Sequence, residues 1–305
     1  MGIRSLNKLL KLNCKNKAIK QIKLSELKNK VIVVDTNIYM YRFKGDDNLI
    51  EGFYLMCSIF KINNIYPIFC FDGKPGKEKD EEIEKRKVEK VKAEEQFIKL
   101  EKEKEKENND EEIQKIEEKM DILRKKFIYI KKSDIKVVKE LITSFGMTYI
   151  NSIGEADITC STLLKKYDVY ACLSEDMDMF VHGCKRVLRY ISLINSNVIE
   201  YNLDNILKDL DMNFYDFQTM CILSGTDYNK STKSIFSYYN IYKKTNKLIE
   251  DNDVDKINID KIRNYFNKQD NVDIDINKVK VNEINNDKLQ EILEQDNFIF
   301  PEKID

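Results

Sequence analysis

The chain of 305 residues has few of the residues that punctuate loops, with nine glycines and three prolines. That scarcity argues against a loop-rich β-sandwich and for long helices with short connections. Histidine occurs once, at His182, which excludes a histidine-rich zinc site and any Ser–His–Asp triad built elsewhere. The seven cysteines, at 14, 57, 70, 160, 172, 184 and 221, form no CxxC pair. Scattered, mostly apolar-flanked and odd in number, they read as reduced core thiols of an intracellular protein. No stretch approaches the roughly 18 apolar residues of a membrane helix. The opening MGIRSLNKLLKL shows neither a secretory h-region nor the Ser or Thr expected after a myristoylated glycine. If the chain is an enzyme, carboxylates carry most of its chemistry.

Charge is what the chain has in excess. Asp, Glu, Lys and Arg make up 34% of it, against 42% hydrophobic residues and a net charge of −1. The hydrophobic share is enough for one large α/β domain or two modest ones. The surplus charge predicts an exposed element outside the core. A near-neutral total does not exclude a nucleic-acid partner, because a carboxylate-rich metal site offsets basic patches elsewhere.

Residues 1–29 read as a short basic amphipathic helix (Leu6, Leu9, Leu10) followed by a linker. The run Val31–Val34, β-branched and without polar alternation, suits a strand buried on both faces of a parallel sheet. A helix is expected around 49–63, and a second buried strand at Pro67–Phe71. From Lys74 to about Lys132 the composition turns to Lys and Glu. Within it Ile113, Ile116, Met120, Leu123 and Phe127 recur at alternating threes and fours, the seam of a helix that packs on something. The stretch 101–112 holds the turn, so by composition the segment is a solvated helical hairpin. Regular α/β order resumes near 134, with a helix over 137–145, a strand at 147–150, a turn at Gly154, a helix over 155–166 and a strand at 169–173. A strand pair follows at 187–190 and 198–201, and the remainder from about Leu203 is helical. The fold class is α/β, with a central, mostly parallel sheet flanked by helices.

Three apolar strands end in an aspartate: VIVVD at Asp35, PIFCFD at Asp72, and VYACLSED at Asp176. Functional crevices of open α/β sheets lie outside the carboxyl ends of the strands. Glu155 with Asp157 at a helix start, Asp178 two residues after Asp176, and Asp227 in LSGTDY add to them. Alone, a strand-end aspartate is ordinarily a helix N-cap or turn residue, and a glutamate such as Glu155 merely favours a helix start. Together, crowded carboxylates repel unless a cation offsets them, and all-oxygen donors point to Mg²⁺ or Mn²⁺. Two such ions about 3.5–4 Å apart clamp a phosphodiester, so phosphoryl hydrolysis is the favoured chemistry.

The motifs MGI, VVDTNIYMYRF, FDGKPGKEK, GEAD, LSEDMDMF and CILSGTDY stand in an order that resembles the flap endonuclease/XPG family of structure-specific 5′ nucleases, nearly end to end. The resemblance implies a PIN-like 5′-nuclease fold and two Mg²⁺ (or Mn²⁺). Seven acids would hold them: Asp35, Asp72, Glu155 and Asp157 mainly the first ion, Asp176, Asp178 and Asp227 the second. It turns the Lys/Glu segment, about 76–133, into a helical arch over the active site, longer than is usual in the family. Counted from Asp72 without a gap, Lys79 and Arg86 fall at the family's catalytic lysine and arginine. Tyr41 matches an aromatic that stacks on a base, and Gly2 lets the backbone approach the metals.

The implied layout is a nuclease domain over 1–225 and a helical DNA-binding region over 226–305, a divergent helix-hairpin-helix. Its glycine-rich hairpin is replaced by Asn229–Phe236, where Lys230 and Lys233 would supply charge to the duplex. The stretch between Asp35 and Asp72 is shorter than in cellular members, which trims the loop that wedges the junction. The ending FIFPEKID lacks a sliding-clamp peptide and a basic tail. These trims fit a divergent, compact member of viral or reduced-genome type. The implied substrate is branched or nicked DNA, cut by a monomer inside the cell at sites of replication, in the nucleus or, for a viral member, the cytoplasm. The alternatives are an RNA-degrading nuclease of the same fold, a non-catalytic DNA-junction scaffold, and a coiled-coil interaction protein built on 77–130, which leaves the strand-end acids unexplained.

Overall fold

A computed structural model describes residues 2–74, 76, 79–107, 109–231, 233–248, 256–280 and 283–295. The run Val31–Asp35 forms β2, with all five residues buried, and Tyr66–Phe71 forms β3. The remaining strands are β1 (Ile19–Lys23), β4 (Thr148–Asn151), β5 (Ala171–Leu173), β6 (Arg186–Ser192) and β7 (Asn197–Asn202). They make one sheet in the order β1-β7-β6-β5-β2-β3-β4. From β4 to β6 all neighbours are parallel, while β7 runs antiparallel to β6 and β1 antiparallel to β7. The expected mostly parallel sheet is therefore present, with an antiparallel edge added.

The edge strand β1 lies in the stretch read from sequence as a linker. The segment IKQIK exposes most of its residues, so it offers no apolar run and is held by pairing with β7. That dependence on a distant partner is why its sequence does not announce it.

Chain order explains the position of the site. From β2 the chain moves outward to β3 and β4, then returns to the other side of β2 for β5 and β6. The reversal at β2 is the switch point at which open α/β sheets form a crevice. The helices α1 (Leu6–Asn13), α2 (Thr36–Gly45), α3 (Leu49–Ile62), α6 (Lys132–Ser144), α7 (Ala156–Lys166) and α8 (Asp178–Val181) cover the sheet. One core takes Val31, Val33, Ile68, Cys70 and Cys172 with α7; the other takes Ile32, Val34, Phe69, Phe71 and Leu173 with α3 and α6. Side chains alternate between faces along a strand. Asp35 and Asp72 continue the rows that face α7.

The Lys/Glu segment folds as α4 (Asp80–Lys104) and α5 (Asp110–Arg124), two helices that pack on each other. The turn falls within 101–112, as the loss of apolar spacing implies. Phe97 meets Phe127 edge-on with ring centroids 5.4 Å apart. Ion pairs tie the end of α5 to the turn after α2, Arg124 to Asp47 at 2.5 Å and Lys125 to Asp46 at 2.8 Å.

After β7 come α9 (Leu203–Leu210), α10 (Phe214–Leu223), α11 (Ile235–Thr245), α12 (Lys256–Phe266), α13 (Ile276–Val279) and α14 (Asn286–Gln295). Ile235, Tyr239, Ile259, Phe266 and Val279 enter the core on the α7 face, and Ile292 and Leu293 the other. The ending read as lacking a clamp peptide and basic tail lies outside the described residues. Among the described residues no helix is long and apolar enough to cross a membrane.

Candidate active site

The acids gather at the carboxyl ends of β2, β3 and β5 and at the start of α7. Asp35 closes β2 and occupies the N-cap position of α2, but its side chain makes no capping hydrogen bond. Glu155 holds the N-cap position of α7, also without capping. Neither side chain is therefore held by the capping role that such positions ordinarily give an acid. The start of α7 is served instead by Asp72, whose Oδ1 accepts the Ala156 N–H at 2.7 Å, while its Oδ2 accepts from Asn37 Nδ2 at 2.5 Å.

The other acids are held as firmly. Ser174 Oγ donates to Asp35 Oδ2 at 2.8 Å and accepts the Asp176 N–H at 3.1 Å. Asp176 Oδ1 accepts the Asp178 N–H at 2.9 Å. Asp157 Oδ2 lies 3.3 Å from His182 Nε2. The other His182 nitrogen, Nδ1, is 3.0 Å from the Phe266 carbonyl, which can only accept, so Nδ1 carries a proton. With Nε2 protonated as well, the lone histidine donates to Asp157 and orients that acid. Gly2 lies against Asp176 and Asp178 with φ +76°, and a Cβ there would collide with both carboxylates.

Charge is concentrated far beyond what burial tolerates. Burial, and then the charge of Asp72, push Asp35 well above the usual carboxylate range. Burial with Asp176 and Asp227 does the same to Asp178. Asp176 and Asp72 are raised mainly by burial, each partly relieved by a backbone N–H, and Glu155 by burial and Asp157 against the pull of Lys79. Asp157 is lowered, burial being outweighed by His182, Lys79 and the Ile158 N–H together. These couplings place the acids in one another's fields.

Two arch cations answer them. Lys79 Nζ lies 2.8 Å from Glu155 Oε2 and 3.4 Å from Asp227 Oδ2, and Arg86 Nη2 donates to Asp227 Oδ2 at 3.0 Å. Lys79 is pushed up despite burial, by Glu155 and Asp157. Tyr228 adds a hydroxyl donor to Glu155 Oε2 at 3.2 Å, and burial with the Glu155 charge drives its own ionisation far up.

The donor set suits a hard divalent cation. It is all oxygen, its members repel, and Asp178 Oδ1 is buried with no hydrogen-bond partner. Among the described residues no three of these side chains close into a finished ligand shell. Their oxygens are turned to Ser174, Asn37, His182, Lys79 and Arg86 instead.

Tyr41 lies on α2, 43% exposed, with Lys90 Nζ 5.0 Å from its ring centroid. Burial and Asp72 raise its hydroxyl pKa, offset by Arg86, which places it at the rim of the same site. Lys230 and Lys233 stand apart from the acids, exposed on the loop between α10 and α11. That loop is closed by a bridge between Thr226 and Asn229, and Ser234 caps α11. Sequence reasoning missed Asn37, Ser174, His182 and Tyr228 as supports of the acids. Asn37, Ser174 and Tyr228 stand within the motifs VVDTN, LSED and LSGTDY, the one available signal; His182 reaches Asp157 through the fold alone. Glu175, in the same motif, turns away, its Oε1 accepting the Tyr190 N–H at 2.6 Å.

An acid cluster at the switch point of a mostly parallel sheet, spanned by arch cations, defines the α/β class of phosphodiester-cleaving nucleases. Two family models match, the XPG N-terminal domain over residues 1–93 and the XPG I-region over 146–227. The chain is 30% identical to flap endonuclease 1 of Methanococcus aeolicus, over 93% of this chain and 89% of that protein. It is also 30% identical to flap endonuclease 1 of Entamoeba histolytica, over 77% of this chain but 64% of that longer protein. The fold is shared with flap endonuclease-1 from Methanococcus jannaschii, at a TM-score of 0.61 and 20% identity, covering 97% of this chain and 100% of that one. The catalytic core of Rad2 in complex with DNA substrate has the same TM-score, 0.61, and 20% identity, covering 99% and 82%. The chain belongs to the XPG family of nucleases, among the flap endonucleases.

Proposed function

We propose that the chain is a structure-specific 5′ nuclease that hydrolyses DNA at flaps, nicks, gaps or free 5′ ends, as part of replication, repair or recombination. The observation that carries this reading is the mutual charge coupling of acids from separate elements, two of which, Glu155 and Asp227, are met by Lys79 and Arg86. Asp35, Asp72, Glu155 and Asp157 would hold one Mg²⁺ (or Mn²⁺), and Asp176, Asp178 and Asp227 a second. Bound ions would supply an activated water and neutralise charge on the phosphodiester.

The chain's own groups do the remainder. Ser174, Asn37 and His182 fix the orientation of Asp35, Asp72 and Asp157, so that the site is organised before substrate arrives. Lys79 and Arg86, at the start of the arch, bring positive charge to the oxygens that gain charge as the bond breaks. Tyr41 stacks on a base near the scissile bond. The region 226–305 acts as the duplex-binding partner of the nuclease domain spanning 1–225, with Lys230 and Lys233 meeting phosphates on one side.

Cleavage of a 5′-labelled flap in Mg²⁺ by the wild type and by Asp176→Ala tests the reading. Cleavage is expected to disappear in the variant with binding largely kept. Equal cleavage by both proteins refutes the metal assignment.

A further inference from the structure

Lys90 is placed unlike the other lysines of the arch. It lies on α4 one turn beyond Arg86, on the same helical face. Its Nζ donates to the Ile128 carbonyl at 2.9 Å, and lies 5.0 Å from the ring centroid of Tyr41 and 5.3 Å from that of Tyr129. In a segment crowded with glutamates, the described residues include no carboxylate paired with it. Burial and the neighbouring charge of Arg86 depress its pKa. The half-buried ammonium lies against two rings and one carbonyl.

The two rings come from different parts of the fold. Tyr41 stands on α2, beside the acid site, and Tyr129 follows α5 at the far end of the arch. Both keep large exposed surfaces, 43% and 49%. Tyr129 is steadied by its hydroxyl, which donates to Glu94 Oε2 at 3.0 Å. Stacked aromatic rings sit with centroids about 4.5–7 Å apart. A flat ring centred where the Lys90 ammonium lies would be within stacking reach of both tyrosines. A base stacked on two rings outweighs the contacts of a partly exposed ammonium with the same rings, and the displaced ammonium is free to meet a phosphate of the same strand.

We propose that Tyr129 is the second wall of a stacking slot, opposite Tyr41, for one nucleobase of the single-stranded 5′ segment. Lys90 fills the slot in the free protein and moves to the adjoining phosphate when the base enters. The proposal rests on the nuclease reading of the same site and adds to it where the single strand is gripped. Lys79, Arg86 and Lys90 then form one track of charge leading from the acids along α4.

The test uses a flap DNA carrying 2-aminopurine, whose emission falls on stacking, in its single-stranded part. Binding is measured in EDTA, so that nothing is cut, beside a nicked duplex without a flap. Tyr129→Leu is expected to abolish most of the quench and to weaken flap binding about ten-fold, with nicked-duplex binding unchanged. Tyr129→Phe is expected to keep both. Lys90→Met is expected to keep the quench and to lower the slope of log affinity against log salt by about one. An unchanged quench in Tyr129→Leu, beside wild-type flap binding, overturns the slot and leaves the nuclease reading standing. An equal loss in Tyr129→Phe also overturns it, because the hydrogen bond to Glu94 would then be the cause. A wild type that neither prefers the flap nor quenches its emission overturns both readings.

Discussion

Replacing Asp178 with Asn should make the metal-free protein more stable and the enzyme inactive. Asp178 is 4% exposed, its Oδ1 has no hydrogen-bond partner, and burial, then Asp176, Asp227 and Asp157, raise its pKa against the pull of Lys79. Two unit charges 4 Å apart at an effective dielectric near 20 repel by about 4 kcal/mol, and protonation within the cluster relieves part of this. Removing one charge while keeping the shape should therefore stabilise the fold by about 2 kcal/mol. For a chain of this size that corresponds to a rise of about 4 °C in Tm. Thermal unfolding in EDTA near pH 7.5 reads the first effect. Added Mg²⁺, which binds the folded state only, should then raise the wild-type Tm more than that of the variant. Flap cleavage should fall by at least about 100-fold. A lower Tm for Asp178→Asn in EDTA would refute the account of electrostatic strain, and unimpaired cleavage would refute the role of Asp178 in metal binding.

Gly2→Ala places a methyl group against the Asp176 and Asp178 carboxylates at φ +76°. The backbone cost is only about 1–2 kcal/mol, so the protein should fold with a Tm lowered by a few degrees while cleavage falls about 10- to 100-fold; wild-type turnover would show that the acids do not depend on that approach. The metal-free protein should also lose stability as pH rises from about 4 toward neutrality. Asp35, Asp72, Glu155, Asp176 and Asp178 hold protons to higher pH when folded than unfolded, while Asp157 and the exposed Glu112 run the other way. The folded state therefore binds more protons across that window, and deprotonation favours unfolding. Thermal unfolding in EDTA at pH 5 and pH 8 checks the sign, and a higher Tm at pH 8 would contradict it.

Much of the frame was legible because its signals are local. The β2 and β3 runs are buried on both faces and announce themselves without a partner. The break in apolar spacing near 101–112 marks the arch turn for the same reason. β1 was not legible, because IKQIK exposes most of its residues and is a strand only by pairing with β7. Nor was α2, because Ile38 and Tyr41 on its outer side blur the buried row of Tyr39, Met40 and Phe43.

The sequence by itself determined which residues carry charge and that three strands end in aspartate, since composition and strand periodicity are properties of the chain alone. It also offered seven candidate acids, and the resemblance of its motifs to a family added the two arch cations, Lys79 and Arg86. Only the tertiary structure decided how they meet. Asp72 serves the start of α7, His182 joins Asp157 to Phe266, and Gly2 lies against Asp176 and Asp178. It also decided that Lys90 stands between Tyr41 and Tyr129. The physical reason is that each contact joins residues far apart in the chain. Hydrogen bonds, burial and charge coupling act through space, and a sequence read along its length records neither the distance nor the direction of such a partner.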